Sequence, residues 1–312
     1  MKSAQITGYG NTNEVIEIRQ TNTPNLSAGK VLVEVKAAGV NPIDWKITEG
    51  YMQQMIHLQF PSTLGLDFSG VVKQVGEDVS SDFNQGNEVY GQAGVPIGGS
   101  GAFSDVALTT ATSIAHKPKT LGHIEAAALP LVGVSAWQAL VENISLSNGQ
   151  KILIHGGAGG IGSVAIQLAK NLSAHVATTV STHDKQFVQE LGADDIIDYR
   201  TQTFGDIVHD YDAVVDTVGG ETYTGSFKVL RKGGIIVSLL EQPNAELMEQ
   251  FGVKSVFQFT QVNRERLSKV ADWVDQNKVK VNIEKTYSLD EAGKALDYSR
   301  DTHPRGKIVL TI

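Results

Sequence analysis

The rhythm of apolar and polar positions changes twice along this chain. Up to about residue 120, short β-branched runs alternate with Gly, Asn and Pro turns: Val31-Leu-Val-Glu-Val35, Gly70-Val-Val-Lys-Gln-Val75 and Glu88-Val-Tyr90. Such spacing predicts a compact, partly barrel-like β domain with irregular loops. The middle reads differently. Lys151-Ile-Leu-Ile-His155 is a short apolar strand, and Ile161, Val164, Ala165, Leu168, Ala169 and Leu172 then fall on one helical face. Strands His175–Val180, Ala213–Asp216 and Gly234–Leu240 follow, with helices predicted near 184–191 and 221–230. Alternating strand and helix implies right-handed crossovers and a parallel, doubly wound sheet.

The last part predicts helices near 264–277 and 289–298, then the strand Lys307-Ile-Val-Leu-Thr-Ile312. A strand this apolar needs a sheet to join, and the N-terminal β domain is the predicted host. The expected organisation is therefore an inserted one, with residues 1–121 and 262–312 forming one domain and 122–261 the other. The length of 312 residues fits two cores better than one. The strand-like Val253–Phe257 is a candidate pairing edge for a second copy.

Between the first middle strand and its helix lies Gly156-Gly-Ala-Gly-Gly-Ile-Gly162. It contains G-x-G-x-x-G at Gly157, Gly159 and Gly162. Glycine suits such a turn for its tightness, for backbone approach to a pyrophosphate and for close packing of helix on strand. The free N–H groups and positive dipole of the helix start complete an anion site. The segment Gly157, Ala158, Gly159, Gly160, Ile161 and Gly162 is thus the predicted dinucleotide cradle.

An NAD site usually carries Asp or Glu at the end of the second strand, holding the ribose hydroxyls. Here that end reads Val180-Ser-Thr-His-Asp-Lys185. Ser181, Thr182 and Lys185 suit a 2′-phosphate, whereas Asp184 sits late and fits the first turn of a helix. The reading favours NADP(H), with a solvated helix charge as the plain alternative for Lys185. Val218, Leu239 and Leu240 fall at the carboxyl edge of later strands, where dinucleotides lie.

Composition narrows the chemistry. Zero cysteines remove disulfides, thiolate metal sites and cysteine nucleophiles. The net charge of −8 argues against a general nucleic-acid surface. No run approaches the ~20 apolar residues of a membrane span, and Met1–Gly10 lacks a signal-peptide pattern. A cytoplasmic protein with no membrane or nucleic-acid partner is the expectation.

Taken in order, several segments resemble the zinc-independent quinone oxidoreductases and enone reductases of the medium-chain dehydrogenase/reductase superfamily, the group that includes zeta-crystallin-like proteins. They are Gly39-Val-Asn-Pro-Ile-Asp44, Pro61–Val72, Gly86-Asn-Glu-Val-Tyr-Gly91, Leu129-Pro-Leu-Val-Gly-Val-Ser-Ala136, His155–Gly162, Asp212–Gly220 and Gly306-Lys-Ile-Val-Leu310. The resemblance implies a GroES-like β-rich catalytic domain from both chain ends, a Rossmann NADP-binding domain between, and a homodimer. It also implies that Lys185 and Tyr199 lie near the adenosine 2′-phosphate, that Arg300 plays a similar part, and that Ser135 lies near the nicotinamide. The Asp301–Arg305 stretch departs from the commoner pattern.

Zinc-dependent relatives bind metal through Cys and a Gly-His-Glu segment. The corresponding positions here resemble Asn41 and Gly65-Leu66-Asp67. Leucine cannot ligate and an amide oxygen is a poor Zn²⁺ ligand, so no metal is expected. Without a Lewis acid to stabilise an alkoxide, the favoured acceptor is one already electrophilic by conjugation, a quinone or an α,β-unsaturated carbonyl. Hydrogen-bond donors near its oxygen then suffice. Asn41 is the first candidate donor, and Lys46 and Tyr51 resemble substrate-facing positions of enone reductases. Each has a plain alternative, an Asn-Pro turn for Asn41 and ordinary exposure for the others. A different class also remains open, a protein that binds NADPH with little turnover.

Overall fold

The computed structural model describes residues 1–312. The chain divides into two units, residues 1–131, 262–275 and 281–312 in the first and 132–261 with 276–280 in the second.

The first unit carries β1 (Lys2–Ile6), β2 (Ile16–Gln20), β3 (Lys30–Val40), β4 (Ser62–Thr63), β5 (Asp67–Val75), β6 (Glu88–Gln92), β7 (Val106–Thr110) and β8 (Ile114–His116). The second carries β9 (Lys151–His155), β10 (His175–Val180), β11 (Asp195–Asp198), β12 (Tyr211–Asp216), β13 (Leu230–Ser238) and β14 (Lys254–Phe257). The chain then returns to the first unit with β15 (Ile283–Ser288) and β16 (Lys307–Thr311).

In the first unit a seven-stranded sheet runs β15-β16-β3-β5-β6-β8, with β7 also paired to β3, beside a small β2-β1-β4 sheet. The final strand pairs antiparallel with β3, Val309 opposite Gly39, so the terminal strand joins the sheet built by the first part of the chain, as its apolar character predicts. Alternation along β3 turns Val31, Val33 and Val35 into a core with Phe68, Phe103 and Leu310.

In the second unit all six strands are parallel in the order β11-β10-β9-β12-β13-β14. This is a doubly wound sheet whose order reverses between β9 and β12, and ligands of such sheets lie beyond the carboxyl ends there. Leu153, Val214 and Ile236 face Phe227 and Tyr223 in its core.

Several boundaries differ from the sequence reading. Segment 122–131, assigned above to the inserted domain, belongs to the first unit, because Ala127 and Ala128 pack on Ala37 and Val309. Residues 276–280 belong to the second, where the Gln167 side chain bonds both the N–H and the C=O of Lys280 (2.8 and 3.0 Å). Strand β13 ends at Ser238, so Leu239 and Leu240 lie in the following loop. Strand β11 was not foreseen at all.

Candidate functional site: a glycine turn and a closed polar cluster

The glycine turn connects β9 to the helix Gly160–Asn171. The three motif glycines are glycine for different reasons. A Cβ on Gly157 would stand 2.0 Å from Thr178 Oγ1, and one on Gly162 2.2 Å from the Gly156 carbonyl oxygen. Both are required by packing inside the protein. A Cβ on Gly159 would meet only the Gly156 oxygen, at an ordinary 3.4 Å. Nothing in the protein demands glycine there, whereas a ligand pressed against the backbone would. Gly159 is the N-cap of the helix and no side chain caps it. The N–H groups of Gly160, Ile161 and Gly162 at the helix start therefore have no intrahelical acceptor and no side-chain cap. A pyrophosphate supplies the acceptor that this arrangement lacks, so the residues present fit a dinucleotide.

At the end of β10 the predicted phosphate residues cluster, but two are occupied. Ser181 donates to Asp184 (2.7 Å) and Thr182 donates to Asp198 (2.6 Å). Each hydroxyl has one hydrogen, and in this structure both are turned toward carboxylates. Lys185 lies 3.2 Å from the same Asp198 oxygen with its side chain 43% exposed. The Thr182 hydrogen bond, backed by the Arg200 amide and Lys185, holds the Asp198 carboxyl below its usual range. Tyr199, next in the chain, is exposed at 53%. Sequence reasoning missed Asp198 because its strand, Asp195-Ile-Ile-Asp198, has only two apolar residues between acids.

Val218 and Leu240 are exposed at the carboxyl ends of β12 and β13, while the Leu239 N–H bonds the Asp216 carbonyl (3.1 Å). Asp216, fully buried, shapes the first of these loops by accepting from the Val218 and Gly219 amides (3.0 and 2.9 Å). Ser238 donates to its other oxygen (2.7 Å) and accepts from the Leu240 and Glu241 amides. Ser135 is fully buried, its hydroxyl 2.8 Å from Thr260 and its carbonyl bonded by Gln258. It ties the chain around it to the segment Gln258–Thr260.

In the first unit Asn41 begins the helix Pro42–Thr48 in a reciprocal capping box with Asp44. Its side chain is wholly buried. Nδ2 donates to Asp67 (2.9 Å), and Oδ1 accepts from the Lys307 ammonium (2.5 Å), which also reaches the Val40 carbonyl. Lysine has only hydrogens to offer and carboxylate only lone pairs, so the orientation of the amide is fixed. Asp67 further accepts from Gln92 (2.8 Å) and the Leu131 amide (3.1 Å). Burial raises the Asp67 carboxyl, partly offset by Lys307, and depresses Lys307, partly offset by Asp67 and Asp44. Asp44 is pushed up to about 7 by burial, against the Asn41 amide bond, and its Oδ1 has no partner.

This cluster is closed on itself. The Asn41 side chain is committed internally and wholly buried in this structure. Lys46 and Tyr51 differ. Lys46 is half-buried with Nζ 5.6 Å from the Trp45 ring centroid, and Tyr51 stands edge-on to the same ring (5.9 Å) yet is 72% exposed. These are the donors of the helix-and-turn segment that remain open. Arg300, predicted near the 2′-phosphate, lies in the first unit, held by Glu49 (2.5 Å), Asp301 (2.8 Å) and Asp297 (3.1 Å). With three carboxylates around it, led by the Asp301 hydrogen bond that raises its pKa further, its charge is spent within the unit. No group of three or more His, Asp or Glu side chains is placed to hold a metal ion, and no helix is long and apolar enough to cross a membrane.

Comparison with known proteins agrees with this architecture. Residues 27–119 match the alcohol dehydrogenase GroES-like domain, and residues 191–310 the family described as zinc-binding dehydrogenase. The 2-methylene-furan-3-one reductase of Solanum lycopersicum is 34% identical over 99% of this chain and 79% of its own length. The solved quinone oxidoreductase from Coxiella burnetii is 33% identical, with a TM-score of 0.89 over 100% of this chain and 99% of that one. The Escherichia coli quinone oxidoreductase, solved in complex with NADPH, is 25% identical with a TM-score of 0.89 over the whole of both chains.

Proposed function

Because the chain belongs to the quinone oxidoreductase and enone reductase family of the medium-chain dehydrogenase/reductase superfamily, we propose that it is an NADPH-dependent reductase of quinones or α,β-unsaturated carbonyls that works without a metal. The observation that carries the cofactor reading is Gly159, a glycine that the protein's own packing does not require, at an uncapped helix start. When bound, the nicotinamide supplies the hydride and its electron pair.

The chain's residues do the rest. The amides of Gly160, Ile161 and Gly162 hold the pyrophosphate, and Gly159 lets it approach. Lys185 holds the 2′-phosphate, swinging from Asp198, with Tyr199 beside it as the exposed aromatic wall. Its preference for phosphate over ribose hydroxyls rests on charge, since the nearby hydroxyls are already donating to carboxylates. Val218 and Leu240 offer apolar surface at the strand ends. Lys46 and Tyr51 donate to the acceptor oxygen as charge moves onto it. Water supplies the remaining proton, to the α-carbon of the enolate or to the oxygen of the hydroquinone anion, so no side-chain acid is required. The absence of cysteine, and leucine at position 66, remove the thiolate and imidazole that a dehydrogenase zinc would use.

The buried amide of Asn41 favours a second reading, in which NADPH is bound with little turnover. One assay separates the two: oxidation of NADPH and of NADH by the purified protein, with 1,4-benzoquinone, 9,10-phenanthrenequinone, a short-chain enone, an enal and a saturated aldehyde, with and without chelator. Chelator-insensitive turnover of the conjugated acceptors with NADPH is expected. Tight NADPH binding with no turnover of any acceptor selects the second reading, and chelator-sensitive oxidation of alcohols overturns both.

A further inference from the structure

Strand β9 is apolar until its last residue, His155, which is wholly buried. A polar ring in such a place needs partners for both nitrogens. Nδ1 lies 3.0 Å from Thr179 Oγ1 and Nε2 lies 3.0 Å from Ser226 Oγ. The directions of these bonds follow from the neighbours. Ser226 spends its only hydrogen on the Thr222 carbonyl (2.7 Å), so its oxygen can only accept from the ring, and Nε2 carries the hydrogen. Burial pushes the imidazole down to about 4 against the pull of Asp216, so the ring is neutral near pH 7 and Nδ1 is a lone pair. Thr179 therefore donates to Nδ1, and its oxygen accepts the Gly156 N–H (3.3 Å).

All the donors point one way: Gly156 N–H to Thr179, Thr179 to His155, His155 to Ser226, Ser226 to Thr222. Such a chain polarises along its length. At its head is the first residue of the phosphate turn, held in the left-handed region at φ +72°. The carbonyl of the same His155–Gly156 peptide accepts from Thr217 Oγ1 (2.8 Å), and the Gly157 N–H bonds the Thr179 carbonyl (3.2 Å). The entry to the turn is thus clamped by Thr179 on one side and Thr217 on the other. At its tail is the helix Gly220–Ser226, directly after the loop of Val218 and Gly219.

We propose that His155 is a positioning residue for the dinucleotide: through Thr179 it sets the peptide that opens the phosphate turn, and through Ser226 it ties that turn to the helix after β12. The inference rests on the reading that the turn takes NADPH. Its effect falls on cofactor affinity, since none of these side chains reaches a reacting atom.

The test compares Thr179→Val, Ser226→Ala, His155→Leu and His155→Gln with the parent protein. NADPH dissociation constants, KM for NADPH, kcat and urea midpoints are measured for each. Thr179→Val and His155→Leu are expected to weaken NADPH binding and raise its KM roughly five- to tenfold. The effect on kcat at saturating NADPH is expected to stay within about twofold. Glutamine, which also accepts and donates, restores most of the affinity. The Thr179→Val, His155→Leu double variant costs little more than either alone, because both break one relay. Long-range proton–nitrogen NMR of the ring is expected to find hydrogen on Nε2 only.

Folded Thr179→Val protein with parental NADPH affinity overturns the inference, as does fully additive loss in the double variant or a ring carrying hydrogen on Nδ1. Should His155→Leu not fold, Thr179→Val and Ser226→Ala decide alone. A parent protein that binds no NADPH at all removes the cofactor reading beneath, whereas parental binding with unchanged variants removes only the relay.

Discussion

Two buried polar networks, one in each unit, are built on opposite plans. The hydrogen-bond partners of His155 are neutral hydroxyls, with the Asp216 carboxylate acting on the ring only through space, and the network ends in a peptide that shapes an open turn. Around Asn41 the groups are ionic: Asp67 and Lys307 share the Asn41 amide between them, and nothing leads outward. A neutral network costs little to bury and can afford free amides at its edge. An ionic one is stable only while every partner is present. The first plan suits a ligand site, and the second suits a scaffold that must not move.

The comparison is broken most sharply at Lys307. Replacing it with Met leaves Asp67 buried without its cation, so a loss of roughly 3–5 kcal/mol in urea unfolding is expected, with Asp67→Asn on the same background recovering part of it. A loss below about 1 kcal/mol would mean the cluster is wet and the contrast false. The turn is next. Gly162→Ala forces a methyl to within 2.2 Å of a carbonyl oxygen, with an expected cost of about 1–3 kcal/mol and loss of NADPH binding. Gly159→Ala is expected to keep stability within about 0.5 kcal/mol while weakening NADPH roughly tenfold, as isothermal titration will read. Equal destabilisation by both would return Gly159 to the fold.

How much of this was written legibly in the chain depends on sequence distance. The glycine turn, β9 and β10 are local patterns, and their bounds agree with those read from the sequence. The Asn41 cluster joins positions 41, 67, 92 and 307, and no local rhythm links them. One signal was present: a lysine at the head of the otherwise apolar run Ile308–Leu310 cannot be buried without a carboxylate. The partners of Arg300 were illegible for the same reason, since a cation shows its sign in the sequence and hides the carboxylates that hold it. Ser181 and Thr182 were placed correctly at the end of β10, but the acceptors that consume their hydrogens include Asp198, on a strand too short and acidic to foresee.

A finer sharpening comes from pH, where the networks pull in opposite directions. His155 falls from 6.5 to about 4 on folding, so the unfolded chain holds a proton that the folded one lacks. Its contribution is present above about pH 6.5 and lost as pH falls toward 4. Asp44 rises from 3.8 to about 7 beside Asp67 and Lys307, so the folded chain holds the extra proton, and its contribution is lost as pH rises over the same window. Each slope is bounded by about 1.4 kcal/mol per pH unit. Urea midpoints between pH 4.5 and 7 are expected to tilt upward with pH in Asp44→Asn and downward in His155→Gln relative to the parent. The smallest effect is at Lys185, whose exchange for Ala is expected to lower the NADPH-over-NADH preference about five- to tenfold. An unchanged ratio would return the lysine to its partner Asp198.

The return of the chain to the first unit sets an order of events during synthesis. All six strands of the parallel sheet are made as one continuous stretch, whereas β3 waits for β16, which follows the whole of it. Until Lys307 emerges, Asp67 and the Asn41 amide have no cation to close on, and the Ala37–Val40 part of β3 lacks its β16 partner, while β7 already covers Lys30–Glu34. The nucleotide-type unit can therefore be finished while its host is still open, and the half-made host, with an exposed strand edge, is the species that chaperones would find.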